Sequence, residues 1–566
     1  MMSGILKITA LAACLVLAGC TTLPLPGKTL STDTILLDQV NAMAKNNPDW
    51  FTSGVQEQEK LTQKYKGKLR PELAIYLEMD IYIYEDGNLS AYLLEIVDRL
   101  LQGWEGVKPK IEVVVESGNF FSAFVDELHL LHVKTGLLRK IENEDQLASI
   151  MAHELSHVLL RHNSEKSLTD RTEEALDIGG VLMASGGDFL DSISGSNEYR
   201  EAGQEGLLGF QSLGFVWADM LAPSWSRENE KEADLMGLDL LIRANYNYEE
   251  FPGVIEKIAD AETQRSERLQ QFNKLAHTVI DKNRKKIKTS LGVKLDKYMQ
   301  DMGAAFGNLF VEEISSQAAS MNKSHEDRVE RIDAIKTYLQ EAHGGGDLPP
   351  EPATEKFLEI VGGKVSKARL NQDLAALEVI DALKNKDIQL ATSKLAGVQY
   401  NSRVSPLSCC MAKSSMDIST RKHDPAVKVL DGLAGKNTSP VEAYLKLAEL
   451  HSKKSNYTQA EASLKLGIET IGRDYKFLPM LIQINKSSGN ISAAEEYTLR
   501  CKHYDNDLML TMEQLGSAGK SEKNSYYQKC AAVLGYDVLA KREKKAGASK
   551  PTGFGKALHR ILPFPQ

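Results

Sequence analysis

Cysteine is scarce, and its distribution gives no cysteine-ligated metal site worth betting on: of six in 566 residues, Cys14 and Cys20 lie in the first twenty, and Cys409, Cys410, Cys501 and Cys530 lie in the C-terminal third. None of these has a metal-ligand spacing. An oxidising compartment permits a disulfide among the last four, buried free thiols are the alternative, and spacing does not choose between them. Long hydrophobic runs are also missing. After residue 20 no stretch reaches eighteen apolar residues, which excludes a membrane-spanning helix there. Nor is there a dominant block of one charge: 68 Lys and Arg are interleaved with 77 Asp and Glu for a net charge of -9, so nothing argues for a nucleic-acid partner. The exception is the tail over 541–566, where Lys541, Arg542, Lys544, Lys545, Lys550, Lys556 and Arg560 read as a solvated basic terminus.

What is present, 42% hydrophobic and 26% charged residues over this length, reads as globular with two or three domains. Lys7 precedes an apolar run from Ile8 to Ala18 that is too short to span a bilayer and ends in small residues, so residues 1–20 read as an export signal. Its end, Leu17-Ala18-Gly19-Cys20, resembles the lipobox of bacterial lipoproteins. That resemblance implies diacylation of Cys20, with acyl chains holding the protein on a membrane. Thr21 follows where an aspartate would signal inner-membrane retention, so an outer-membrane destination in the bacterial cell envelope is implied, with the rest of the chain periplasmic.

Residues 21–69 are expected to be a linker and helical segment, and 70–343 a first domain. A Gly/Pro stretch over 344–353 places a linker, because glycine permits any backbone angle and proline forbids helix continuation. Upstream, helical periodicity dominates, but Lys110 to Glu116 and Glu127 to Val133 are short apolar or β-branched runs that predict a small sheet. The charged, helix-periodic stretch over about 255–320 reads as an amphipathic insertion. Downstream, 354–540 repeats with a period of 34, the length of a tetratricopeptide helix pair. Tyr444, Leu447, Asn456, Ala460 and Glu461 recur as Leu478, Leu481, Asn490, Ala494 and Glu495, and Ala426 and Leu430 lie one period before Ala460 and Leu464. Asp387 to Gly397 reads as a worn further copy. Such arrays usually bind a peptide or protein on their concave face.

The chemistry is carried by His153-Glu154-Leu155-Ser156-His157. Asn143 is a helix cap with Gln146 three residues on, and Leu147, Ile150, Met151, Leu155, Val158 and Leu159 supply an apolar face. Two histidines four apart project from one face of that helix and can bind one zinc ion, while Glu154 points about 100° away, where it can reach a water on the metal. By composition the motif arises by chance in roughly one such chain in fifty, so context has to raise it. A catalytic zinc site needs a third protein ligand. Ser226 to Asp234 offers it: Glu230 and Asp234 share a helical face, one to ligate the metal and the other to hold a ligand imidazole, while Glu228 and Glu232 point elsewhere. A solvated acidic helix is the plain alternative.

Together these segments resemble the zinc metallopeptidase family that contains HtpX, the CAAX prenyl protease and the periplasmic BepA-like and LoiP-like enzymes. The motifs are His-Glu-x-x-His with a following Arg161-His162, then Glu230-Lys231-Glu232-Ala233-Asp234, and the match runs over roughly 70–335. The resemblance implies one zinc per chain on His153, His157 and Glu230, Glu154 as general base, and Asp234 behind the metal. It also implies a histidine by the zinc, with an arginine six residues later, at His325 and Arg331; Glu326 replaces the usual proline between them. The resemblance also places the family's substrate-binding edge strand, Asn-Ala-Phe-Ala, at Ser122-Ala123-Phe124-Val125, with the serine a departure. The expected fold is mainly α: a zincin-like metallopeptidase domain with a small sheet, followed by a tetratricopeptide-like α-solenoid. The expected function is a lipid-anchored zinc endopeptidase acting on polypeptides of the envelope, in quality control or outer-membrane assembly, with an assembly protein docking on the repeats. The alternative is a chaperone or binding module whose zinc site is plugged and regulatory.

Overall fold

The structure is a computed structural model that describes residues 30–47, 71–78, 81–126, 129–162, 227–261, 328–345, 348–351, 355–400, 405–514 and 526–535, with isolated positions at 59, 63, 263, 264 and 267. The export signal with Cys20, His325, the basic tail and most of the expected insertion lie outside the described residues. Among the described residues the chain is mainly helical with one three-stranded sheet, and no helix is long and apolar enough to cross a membrane.

Helices α1 (Leu36–Asn46), α2 (Pro71–Glu78) and α3 (Gly87–Leu100) precede strands β1 (Glu112–Glu116), β2 (Ala123–Val125) and β3 (Leu130–Lys134). Helices α4 (Thr135–Lys140), α5 (Glu144–Leu159), α6 (Arg227–Arg243) and α7 (Arg328–Ala342) follow. The sheet has the order β1-β3-β2, with β1 parallel and β2 antiparallel to β3. Side chains alternate between its faces. Val115, Val125, Leu131 and Val133 enter the core formed with α3 and α5, while Val114 and Leu130 face α2 and the later helices. Both faces are therefore covered, which is why β1 and β3 read as nearly continuous apolar runs rather than alternating ones.

One buried charge cluster interrupts the second face. Glu116 accepts a hydrogen bond from Lys134 Nζ at 2.6 Å and lies 2.5 Å from His132 Nδ1, and Asp126 lies 3.3 Å from His132 Nε2. Phe124 stacks on the His132 ring at 4.4 Å. Burial alone would lower the pKa of His132, but its bonds to Asp126 and Glu116 prevail and raise it from 6.5 to about 9. Burial would raise Glu116, yet Lys134 and His132 hold it at about 2.

The C-terminal helices are α8 (Lys364–Lys384), α9 (Ile388–Leu395), α10 (Leu407–Ser419), α11 (His423–Leu433), α12 (Val441–Lys453), α13 (Tyr457–Ile471), α14 (Leu478–Ser487), α15 (Ile491–Gln514) and α16 (Tyr526–Leu534). Left-handed residues recur at Lys386, Arg421, Ser455 and Gly489, at intervals of 35, 34 and 34 residues. Each closes the first helix of a hairpin. At Arg421, for example, Lys422 N donates to Asp417 O and Arg421 N to Ile418 O, which is a Schellman cap. Ala426, Ala460 and Ala494, spaced by the same period, are fully buried. Cys501 and Cys530 form a disulfide between α15 and α16, and Cys409 and Cys410 are buried free thiols.

Two contacts tie α8 to the sheet region. Asp373, completely buried, accepts from the hydroxyls of Ser117, Thr135 and Ser408 at 2.6, 2.8 and 2.5 Å. Lys367 Nζ donates to the carbonyls of Leu138, Arg139 and Ile141 at the end of α4. Backbone regularity breaks at Gly344 and Gly345, both with positive φ, but Phe357, Val361 and Leu370 return to the first core.

The charge cluster fixes a pH dependence. The His132 contribution is complete below its unfolded value of 6.5 and is lost as pH rises through about 9; the Glu116 contribution is complete above 4.5 and is lost as pH falls towards 2. His132→Gln is expected to cost on the order of 2–3 kcal/mol at pH 6 and much less at about pH 10, measured by denaturant unfolding. An equal loss at both pH values would contradict this.

Candidate active site

Helix α5 starts at Asn143, whose side chain accepts from Gln146 N at 2.8 Å as the capping pattern predicts. The sequence suggests one buried face, but all sixteen residues of α5 are buried. Most of its polar residues survive burial because they find partners. Glu144 accepts from Tyr92 at 2.7 Å and Tyr246 at 3.2 Å, Asp145 accepts from Asn247 N at 2.7 Å, and Ser149 and Ser156 donate back to carbonyls one turn earlier.

Helix α6 crosses α5 at Gly237. A Cβ built there would lie 3.2 Å from His153 N and 3.4 Å from Ala152 C, so any side chain would crowd the α5 backbone and push the helices apart by a few tenths of an ångström. One and two turns before Gly237, Asp234 and Glu230 then fall opposite the histidines. Metal-ligating atoms of His153, His157 and Glu230 all lie within 4.8 Å of one another. In detail, His153 Nε2 and His157 Nε2 are 3.2 Å apart, and oxygens of Glu230 lie 3.5 Å from the first and 3.6 Å from the second. Zinc–ligand bonds of 2.0–2.1 Å in a tetrahedron set ligands roughly 3.3–3.4 Å apart, so these three residues fit one tetrahedral face around a zinc ion.

Charge supports the same fit. Asp234 Oδ1 lies 2.9 Å from His153 Nδ1, and Arg331 of α7 grips Asp234 through Nε and Nη2 at 2.7 and 2.8 Å while Nη1 lies 3.2 Å from Glu230. Two carboxylates, Glu230 and Asp234, thus share one arginine. Burial raises Glu230 and Asp234, but Arg331 and His153 outweigh it and hold both below the usual carboxylate range. Burial lowers His157 well below 6.5, with His153, His162 and Arg331 adding to the shift.

Glu154 leaves the helix on another side, where Val125 N donates to its carboxylate at 3.2 Å. Burial, with help from Glu230, pushes its carboxyl up to about 7 against the pull of His153, the Val125 N–H and Arg331. This bond places β2 at the site. Lys134 N donates to Ser122 O and Asp126 N to Leu130 O, so Ala123 and Val125 turn their backbone polar groups to the edge away from β3, which no other described strand pairs. Phe124 instead packs on His132, away from that edge.

The structure thus gathers His153, His157, Glu230, Glu154, Asp234, Arg331 and the 122–125 strand in one place, while His325 lies outside the described residues. Sequence reasoning missed Gly237, and it set Glu232 aside as pointing elsewhere. In fact Glu232 Oε2 lies 3.2 Å from His162 Nε2, and His162 Nδ1 lies 2.8 Å from His157 Nδ1. The adjacent Arg161-His162 was the available signal.

The sequence profile of peptidase family M48 matches residues 88–339, a span that holds the whole sheet, α5, α6 and most of α7. The chain carries a peptidase family M48 domain. Similar proteins include the beta-barrel assembly-enhancing proteases of Yersinia pestis, 27% identical over 175 residues, and of Escherichia coli strain K12, 28% identical over 178. Each alignment covers 31% of this chain and 34% of that protein, so the chain spans about a third of the length of the curated relatives it matches. A protease HtpX homolog of Campylobacter concisus is 30% identical over 152 residues, 26% of this chain and 51% of that one. Metallopeptidases of family M48 are zinc-dependent.

The helix crossing gives a test of how the M48 domain is assembled. Gly237→Val is expected to push α6 away from His153 and weaken zinc binding about 10- to 100-fold, measured by chelator competition, with the helical circular dichroism retained. Unchanged affinity would contradict the role given to the close approach.

Proposed function

We propose that this chain is a zinc-dependent endopeptidase that hydrolyses peptide bonds of cell-envelope proteins. The observation that carries the reading is the convergence of His153 Nε2, His157 Nε2 and a Glu230 carboxylate at 3.2–3.6 Å, beside a glutamate held by an edge strand. In this reading His153, His157 and Glu230 hold one zinc ion per chain. Zinc supplies Lewis acidity, acidifying water and polarising a scissile carbonyl. Glu154 is the general base that accepts the water's proton and returns it to the leaving amine, and the Val125 N–H orients it. Asp234, steadied by Arg331, fixes the ring of His153. The outer edge at Ala123 presents backbone groups to an extended polypeptide, the way an exposed strand adds a partner. His325 is assigned beside the zinc by resemblance.

The wider setting is part of the same proposal. The domain division follows the Gly/Pro stretch over 344–353, and the helix hairpins beyond it form a tetratricopeptide-like solenoid, a reading supported by the recurrence of left-handed turn residues every 34 or 35 positions. Lipidated Cys20 tethers the chain to the periplasmic face of the outer membrane. The relatives' names, beta-barrel assembly-enhancing protease, suggest quality control or assembly of outer-membrane proteins as the task, with the repeats docking clients or an assembly protein.

Two variants test the catalytic assignment. Glu154→Gln is expected to keep stoichiometric zinc while losing at least about a thousandfold of casein and denatured outer-membrane-protein hydrolysis, read by peptide release. Glu230→Ala is expected to lose the zinc itself, read by metal analysis. Wild-type protein that binds clients on the repeats but cleaves nothing would instead favour a chaperone with a plugged site.

A further inference from the structure

We infer that His162 and Glu232 are positioning residues that hold His157 in the ring orientation and tautomer needed to ligate the metal; the inference rests on the zinc reading above. It starts from the backbone. Helix α5 ends with Arg161 in the left-handed region at φ 53°, a conformation that costs a non-glycine residue roughly 1–2 kcal/mol. Arg161 N donates to Val158 O at 3.1 Å and His162 N to His157 O at 3.0 Å, a Schellman cap that folds the chain back over the last turn. The consequence is that residue 162 is delivered beside the side chain of residue 157. His162 is buried, 2% exposed, and its Nδ1 meets His157 Nδ1 at 2.8 Å.

Two ring nitrogens at that distance hold one proton between them. Which way it points is decided at the far end, where Glu232 Oε2 lies 3.2 Å from His162 Nε2. A carboxylate only accepts, so His162 carries its proton on Nε2 and leaves its Nδ1 as an acceptor. His157 must then carry its proton on Nδ1. Its Nε2 is left as a lone pair, directed at the Nε2 of His153 3.2 Å away. On the opposite side Asp234 Oδ1 lies 2.9 Å from His153 Nδ1, an ion-pair contact to the other imidazole. With zinc bound, both Nε2 lone pairs would converge on the cation, replacing the hydrogen-bond contact between the two rings. Histidine ligands are commonly fixed by one carboxylate; here the carboxylate acts on His157 through a second histidine.

Glu232 stands two residues from Glu230 on α6, so the helix that supplies a ligand from one side of the site also orients a ligand from the other. The crossing at Gly237 therefore sets both distances at once.

The test is the zinc dissociation constant of the full-length protein, measured by competition with a chromogenic chelator. His162→Phe fills the space without offering an acceptor and Glu232→Ala removes the far carboxylate. Each is expected to weaken zinc about 10- to 100-fold while the zinc-free protein keeps its melting temperature within a few degrees. His162→Asn, whose amide oxygen can replace Nδ1 as acceptor and whose amide nitrogen can donate onward, is expected to recover most of the affinity. The double variant His162→Phe with Glu232→Ala is expected to be no weaker than the worse single variant, because both break one chain of bonds. Wild-type affinity in His162→Phe, or additive losses in the double variant, would overturn the inference. Failure of the zinc reading looks different: wild-type protein would bind no stoichiometric zinc, and His153→Ala would change nothing.

Discussion

The site depends on one packing constraint, the direct contact between the backbones of α5 and α6 at Gly237. Helix pairs ordinarily keep their axes 8–10 Å apart with side chains between them. Removing the Cβ at the crossing lets Glu230 and Asp234 reach two imidazoles that are themselves fully inside the protein. Carboxylates and histidines are placed together in a protein interior only when their charges are neutralised, and a divalent cation does that most simply. Arg331 of α7 completes the arrangement by bonding Asp234 twice and Glu230 once, so three distant segments are tied to one point.

A second set of contacts explains why the M48 domain and the helical array are built as neighbours. The sheet shows one face to α5 and the other to α2 and the array, with Val114 and Leu130 packed against the core that holds Tyr444 and Phe477. On that second face the Glu116–His132–Lys134 cluster satisfies its own charges. Asp373 joins both regions through three hydroxyls, and burial pushes its carboxyl above the usual range, against the pull of those bonds. Strand β2, whose outer edge holds Glu154, is therefore braced from below by Phe124 on His132 and from the side by β3.

Much of this is legible from residues alone. The His153–His157 pair, Glu154 and the Glu230–Asp234 pair follow from helical spacing, and the cap at Asn143 follows from its chemistry, because these relations are local. The expected strands appear within two or three residues of their ends, at Glu112–Glu116 and Leu130–Lys134. What depends on long-range packing is not legible. Periodicity suggests a half-buried α5, but a helix surrounded on every side keeps polar residues that find partners elsewhere, such as Asp145 with Asn247. Glu232 looks like a solvated neighbour until the cap at Arg161 brings His162 to it from seventy residues away. The Gly/Pro stretch marks a break in the backbone, yet Phe357, Val361 and Leu370 carry the first core beyond it. The Cys501–Cys530 pairing likewise depends on how α15 and α16 pack, which spacing does not encode.

The most direct test of the account is X-ray absorption at the zinc edge on the purified protein. It predicts one zinc per chain with a shell of nitrogen and oxygen only, at 2.0–2.1 Å, with the outer-shell scattering of two imidazoles. A spectrum that shows sulfur ligands, one imidazole or none would contradict the placement of the metal between His153, His157 and Glu230.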